Sequence, residues 1–267
     1  MQCDSNCSGC SVEGCGQRIE KYKLLDGVKI KKVIAVASGK GGVGKTMVTS
    51  LLAQSLNSQG YKVGILDSDI TGPSIPRMFN LKGDVRGTKR GMVPLETENG
   101  IKIISTNFFL ESEDNPVVWR GPILTNLIRQ FYAETEWGEL DYLLIDMPPG
   151  TGDVPLTIFQ SINVDGVIIV STPQDLVSMV VGKAVKMCQM MNINIYGVVI
   201  NMGYIKCPDC GKEIKLFYGD EEALKNKFNL EILENIPMDP KINETISKGK
   251  FSELKETFFK DLAKRIG

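Results

Sequence analysis

From Lys32 onward the chain alternates short runs of β-branched and aliphatic residues with stretches whose apolar positions recur every three to four residues. That alternation is the signature of βαβ units built on a mainly parallel sheet. The runs Val33–Ala37, Val63–Leu66, Ile101–Ser105, Tyr142–Ile145, Val167–Val170, Ile195–Ile200 and Glu231–Glu234 predict strands. Nearly all are apolar at successive positions, as strands covered on both faces must be. Helical periodicity spans Lys45–Ser58, Ile123–Glu134, Leu176–Met190, Asp220–Lys227 and Phe251–Ile266. In the second of these, Ile123, Leu124, Leu127, Ile128 and Phe131 share one face, which predicts packing on the sheet. The fold class is therefore α/β, a mainly parallel sheet flanked by helices.

Two regions depart from this pattern. Leu81–Gly100 is polar and punctuated by glycines, so it reads as a long loop or small hairpin, with Lys82, Arg86, Lys89 and Arg90 solvated on it. The first sixteen residues hold Cys3, Cys7, Cys10 and Cys15 among glycines and serines. With almost no apolar content they cannot fold by burial, and are either disordered or organised around a metal. The chain thus divides into a cysteine-rich segment, 1–25, and a folded body, 26–267, with no repeat or Pro/Gly linker inside the body.

Composition narrows the classes. Of 267 residues, 42% are hydrophobic and 24% charged, close to the globular average, so a substantial core can form. Thirty-one Lys and Arg against 32 Asp and Glu leave a net charge of −1, which supplies no field for nucleic acid or an anionic membrane. Apolar runs such as Val167–Val170 are strand-sized, far below the roughly 18 residues of a membrane-spanning helix. The start, Met1-Gln2-Cys3-Asp4-Ser5, lacks the basic and apolar regions of a secretory signal, so a cytoplasmic setting is expected. Thiols stay reduced there, and clustered cysteines bind metal or do redox chemistry. The chain has no histidine, so any soft-metal site must be built from thiolates.

Gly39-Lys40-Gly41-Gly42-Val43-Gly44-Lys45-Thr46 fits the phosphate-binding pattern G-x-x-x-x-G-K-[ST], between an apolar strand and a helix as the mechanism requires. Glycines let successive backbone N–H groups wrap the phosphates, Lys45 reaches the β- and γ-phosphates, and the Thr46 hydroxyl binds Mg²⁺. A Mg²⁺ nucleotide site also needs carboxylates at neighbouring strand ends. Leu143-Leu144-Ile145-Asp146 has the Walker B form, placing Asp146 on the metal. In Ile65-Leu66-Asp67-Ser68-Asp69, Asp67 is placed to support the metal and Asp69 to orient an attacking water. Lys40 sits where no second lysine is needed to cradle phosphates within one chain. The stiff turn Met147–Asp153 is placed to approach a γ-phosphate and move when it leaves.

Gly39–Thr46 resembles the deviant Walker A loop shared by MinD, ParA and related ATPases. The runs Leu66–Asp69 with Gly72-Pro73-Ser74-Ile75-Pro76, Asp146–Asp153, Asn201-Met202-Gly203-Tyr204 through Cys207-Pro208-Asp209-Cys210, and Ile236-Pro237-Met238-Asp239-Pro240 resemble the Mrp/ApbC branch. The resemblance covers about Lys32 to Lys248. It implies a homodimeric ATPase that carries iron–sulfur clusters and delivers them to apoprotein clients. It also implies that Lys40 reaches the nucleotide across the dimer interface and that Asn201 reads adenine, which an amide can pair with on N6 and N7.

Cys207-Pro208-Asp209-Cys210-Gly211 can aim two thiolates at one metal. Read alone it is also half of a zinc ribbon, and four-coordinate zinc needs two more ligands. Those could come from the N-terminal segment or from Cys207 and Cys210 of a symmetry-related copy. The resemblance points to the second arrangement, a 4Fe–4S cluster bridging two protomers. Cys3, Cys7, Cys10 and Cys15 suffice for another cluster or for a Cys₄ zinc site, and iron–sulfur is the favoured reading. Cys188 lies in a predicted helix among methionines and reads as a buried core thiol.

The competing function is a spatial-partitioning ATPase of the MinD/ParA kind with structural zinc, which should show a basic face or a membrane-targeting tail. The stripe Phe251, Leu254, Phe258 and Leu262 is flanked by charges of both signs, which favours packing on the body over anchoring. A nitrogenase-iron-protein-like reductase needs bridging cysteines between its nucleotide switches. No cysteine lies between Cys15 and Cys188, so that reading falls.

Overall fold

The computed structural model describes residues 21–69, 74–109, 121–175, 179–254 and 258–266. Cys3, Cys7, Cys10 and Cys15 lie outside the described residues, as do Gly72 and Pro73, the first turn of the helix predicted from Leu176, and residues 255–257. The elements in chain order are β1 (Lys29–Ala37), α1 (Lys45–Ser58), β2 (Val63–Asp67), α2 (Ile75–Met78), β3 (Arg86–Gly87), β4 (Met92–Val93), β5 (Leu95–Glu96) and β6 (Lys102–Ser105). They continue with α3 (Gly121–Ala133), β7 (Glu139–Asp146), α4 (Asp153–Ser161), β8 (Gly166–Ser171), α5 (Met179–Met190), β9 (Ile195–Ile200), β10 (Ile205–Lys206) and β11 (Glu213–Ile214). The last four are α6 (Glu221–Phe228), β12 (Ile232–Asn235), α7 (Pro240–Ser247) and α8 (Leu262–Ile266).

One eight-stranded sheet runs in the order β12-β9-β8-β1-β7-β2-β6-β5. Every neighbouring pair in it is parallel except β5, which closes one edge antiparallel to β6. Strand periodicity divides the core into two layers. Val33, Ala35 and Ala37 of β1 pack with Ile128 and Phe131 of α3 and Val181, Ala184 and Cys188 of α5. Ile34 and Val36, facing the other way, pack with Val48, Leu51, Leu52 and Leu56 of α1. Alternate residues of one strand therefore hold helices on opposite faces, which is why these strands are apolar at successive positions. β1 sits mid-sheet between β7 and β8, so the loop leaving its C-terminal end opens at the point where chain order reverses, the usual ligand site of an open α/β sheet.

The expected strands and four of the five expected helices are present. The region 81–100 is a small hairpin, β3 with β4, followed by β5, and Lys82, Arg86, Lys89 and Arg90 are all exposed on it. The fifth helix requires correction. Instead of a continuous helix over Phe251–Ile266, Phe251–Glu253 forms one 3₁₀ turn, Leu254 is extended, Phe259 adopts φ 62°, and a short α-helix spans Leu262–Ile266. Side chains of α1 capture the carbonyls a helix would have used: Gln54 donates to Leu254 O at 2.8 Å, and Ser55 to Phe258 O at 2.6 Å. The apolar stripe does pack on the body: Phe251 and Leu262 are buried, Leu254 and Phe258 are partly so, and Phe259, outside the stripe, is buried with them. Helices α2, α4 and α7 were not expected. The start of α7 carries a readable signal, Asp239 capping the Lys241 N–H ahead of Pro240 in the first turn.

Candidate functional site

The phosphate loop Gly39–Thr46 joins β1 to α1, and α1 begins at Lys45. Two glycines there are obligatory. Gly44 has φ 78°, and a Cβ on it would meet the Asn201 amide nitrogen at 2.2 Å. Gly39 is pressed against the start of α5, where a Cβ would lie 2.4 Å from the Val180 carbonyl oxygen. The loop walls a cleft of about 330 Å³ that Asp69, Ser74 and Pro149 complete. The loop supplies backbone donors and the cleft is open to solvent, which suits phosphates entering from outside.

Sheet register assembles the acidic residues. Asp67 at the end of β2 pairs with Asp146 at the end of β7 on one side and with Ser105 of β6 on the other. Asp146 is fully buried and takes three donors: Lys45 Nζ at 2.8 Å, Thr46 Oγ1 at 2.7 Å and Thr49 Oγ1 at 2.9 Å. Lys45 Nζ also lies 3.5 Å from Asp69 Oδ2. Asp67, fully buried, accepts from Ser105 Oγ at 2.9 Å and from the Asp69 N–H at 3.2 Å. Burial, reinforced by the neighbouring Asp146 charge, pushes the Asp67 carboxyl well above the usual carboxylate range, against the opposing pull of Ser105 and Lys45. Carboxyl groups thus outnumber the lysine at these strand tips. A hydroxyl beside several carboxylates is the hard-oxygen donor set that Mg²⁺ prefers, and a divalent cation would compensate the charge left when Lys45 turns to a phosphate.

Lys45, Thr46, Asp67, Asp69 and Asp146 therefore converge as the sequence predicts. Lys40 stands apart: its ammonium lies 2.5 Å from Asp175 Oδ2 on the same chain. Asn201 lies behind the loop, where Nδ2 donates to the Val43 carbonyl at 2.9 Å while Oδ1 is buried with no hydrogen-bond partner. A buried, unpartnered acceptor beside a phosphate loop fits a ligand that brings an N–H donor, as adenine does.

Cys207 and Cys210 occupy the turn between β10 and β11. The turn is closed by Gly211 N–H to Cys207 O and Cys207 N–H to Lys212 O, both at 2.9 Å. Backbone N–H groups of Cys210 and Asp209 point at the Cys207 sulfur, joined by a contact with the Cys210 side chain, and hold that thiol below its ordinary value. Cys210 is exposed and Cys207 partly so. Among the described residues no His, Asp, Glu or further Cys joins Cys207 and Cys210 in a group that could hold a metal, so this pair supplies only half of a four-coordinate site. Cys188 is buried in α5, as expected, and burial pushes its thiol up to about 11.

Sequence reasoning missed Thr49, Ser105 and Asp175. Thr49 sits one helical turn after Lys45, a spacing that puts both on the face toward the strand tips. Ser105 ends its strand, in register with Asp67. Asp175 lies three residues after Thr172, whose hydroxyl it accepts at 2.9 Å.

A profile of the family described as ParA, NUBPL iron-transfer P-loop NTPase, matches residues 29–266. The chain belongs to this family of iron-transfer P-loop NTPases. Among its relatives, the iron-sulfur cluster carrier protein of Clostridium perfringens is 45% identical over 257 residues, covering 92% of this chain and 90% of that one. A solved structure of a nucleotide-binding protein from Archaeoglobus fulgidus, in complex with ADP and with Co, superposes with a TM-score of 0.77 at 43% identity, covering 86% of this chain and 92% of that one. The Pyrococcus furiosus cell division ATPase MinD matches at TM-score 0.62 and 21% identity, covering 88% of this chain and 98% of that one, a likeness of fold alone. The iron-transfer NTPase is thus an α/β ATPase with the MinD/ParA architecture. Among the described residues no helix is long and apolar enough to cross a membrane.

Proposed function

We propose that this ATPase is a carrier and scaffold for iron–sulfur clusters, in which two copies hold one 4Fe–4S cluster between their Cys207–Cys210 knuckles and deliver it to apoproteins. One observation carries the reading: a knuckle whose Cys207 thiol is primed by backbone N–H groups, with half the thiolates a cluster needs, on the same chain as a complete phosphate-loop site. A second copy doubles the ligands without further sequence.

In this reading Gly39–Thr46 cradle ATP, with Lys45 on the β- and γ-phosphates and Asn201 Oδ1 accepting from the adenine amino group. Thr46 and Asp146 hold Mg²⁺, Asp67 supports them from behind, and Asp69 orients the attacking water. Lys40 acts on the nucleotide of the other copy. Cys3, Cys7, Cys10 and Cys15 hold a further cluster in the segment 1–25, whose residues Tyr22 and Leu24 pack on the core, while 26–267 is the ATPase body. The balanced charge of −1 gives no hold on nucleic acid, and free thiols suit a cytoplasmic setting.

The test is anaerobic purification with iron, sulfide and zinc counted per chain, followed by transfer to an acceptor apoprotein. Cys207→Ser/Cys210→Ser should lose the bridging cluster and its transfer, weaken the dimer and keep nucleotide binding, because no phosphate or Mg²⁺ ligand is touched. Zinc in place of iron and sulfide, or transfer by the double variant at the wild-type rate, would overturn the proposal.

A further inference from the structure

The carboxylate that holds Lys40 is built into the fold independently of the lysine. Asp175 ends the 3₁₀ turn Pro173–Asp175 that follows β8. Its Oδ2 accepts from Thr172 Oγ1 at 2.9 Å, and its N–H donates to Thr172 O at 3.0 Å. The Asp175 side chain is 16% exposed against 49% for Lys40. Gly39, just before Lys40, is packed against Val180 beyond the same turn, so the backbone bearing Lys40 and the carboxylate facing it are set close together. The long lysine side chain is the member able to leave.

We propose that Asp175 is a positioning residue for Lys40. It parks the lysine on its own chain in the nucleotide-free protein and thereby sets the threshold at which two copies pair on ATP. The inference rests on the reading of Lys40 as a lysine that serves the other copy's nucleotide. Pairing then exchanges one carboxylate for a bound triphosphate of higher charge, which gives the exchange its direction. An ion pair this accessible is weak, worth up to about fivefold in an equilibrium constant. Two such pairs break for each dimer formed, so the effect is squared, to about twenty-five-fold. A contact of that size biases the resting state yet yields to the nucleotide.

The experiment is sedimentation equilibrium of the full chain with Mg²⁺ and a non-hydrolysable ATP analogue. Asp175→Asn keeps the acceptor for Thr172 and removes the charge. It should lower the dimer dissociation constant by up to about twenty-five-fold and raise the rate at which Lys40 is acylated in the nucleotide-free protein. Asp175→Glu should restore wild-type behaviour. In a Lys40→Ala background Asp175→Asn should change nothing, which separates loss of the parked lysine from a general loosening of the turn. An unchanged dissociation constant in Asp175→Asn, or the same shift with Lys40 absent, overturns the inference while the paired reading stands. A wild-type chain that stays monomeric with the analogue at every concentration overturns both.

Discussion

Thr49→Val isolates the role of Asp146. Thr49 is fully buried, and its hydroxyl reaches Asp146 Oδ1 at 2.9 Å and the Lys45 carbonyl at 3.0 Å. A hydroxyl has one proton, so valine of nearly the same shape removes one hydrogen bond to a charged group, worth about 1.5–3 kcal/mol. In the nucleotide-free protein Lys45 and Thr46 still hold the carboxylate, so the loss falls at the low end, about 1.5 kcal/mol. For a domain of this size that is a fall in Tm of roughly 3–6 °C. In the proposed reading, Lys45 turns to the phosphates and Thr46 to the metal when Mg²⁺ and ATP bind, leaving Thr49 as the last of the three donors on Asp146. The loss then approaches about 3 kcal/mol, and the difference of about 1.5 kcal/mol raises the Kd for Mg²⁺-ATP roughly tenfold. Calorimetric titration of a non-hydrolysable ATP analogue, with Mg²⁺ and with a chelator, reads this directly: affinity should fall with the metal and hold without it. A lowered Tm with no change in the Mg²⁺-dependent part of the affinity would refute the assignment of Asp146 to the metal.

Three further outcomes are expected. Mixing Lys40→Ala chains with Lys45→Ala chains should restore hydrolysis to about a quarter of wild type, since half of randomly formed dimers are mixed and each has one of two sites complete; no restoration would place Lys40 in cis. Deleting Met1–Gln17 should remove one metal centre and leave ATPase activity nearly intact, and unchanged iron content after the deletion would dispose of an N-terminal cluster. The Asp67 carboxyl, held well above its unfolded value of about 3.9, contributes stability that is full below about pH 4 and is lost as pH rises toward the folded pKa. Asp67→Asn should therefore gain on wild type in denaturant melts as pH is raised from about 4; a difference constant with pH would contradict the buried-carboxyl account.

Elements whose signal is local can be read from the chain alone. The Ile195–Ile200 strand and the Lys45–Ser58 helix have the bounds their patterns predict, because an apolar run bounded by polar residues, or an apolar residue every third or fourth position, has one good way to bury itself. The phosphate loop was legible for the same reason: Gly39, Gly44, Lys45 and Thr46 answer to backbone geometry and to a ligand's charge within eight consecutive residues.

The remaining contacts arise from long-range packing. Helical spacing of Phe251, Leu254, Phe258 and Leu262 reads as one helix, yet Gln54 and Ser55, some two hundred residues earlier in the chain, offer their side chains to the carbonyls of Leu254 and Phe258, and Leu254 is extended after a single 3₁₀ turn. Thr49 and Ser105 became partners of the acidic pair because β7 lies beside β2, and β2 beside β6, an adjacency that no local pattern encodes. Lys40 found Asp175, and Asn201 found Val43, through the same closeness of strand ends. A hydrophobic pattern specifies which face of an element is buried. Which polar group then meets which depends on the order of strands in the sheet, and that is settled by packing of the whole chain.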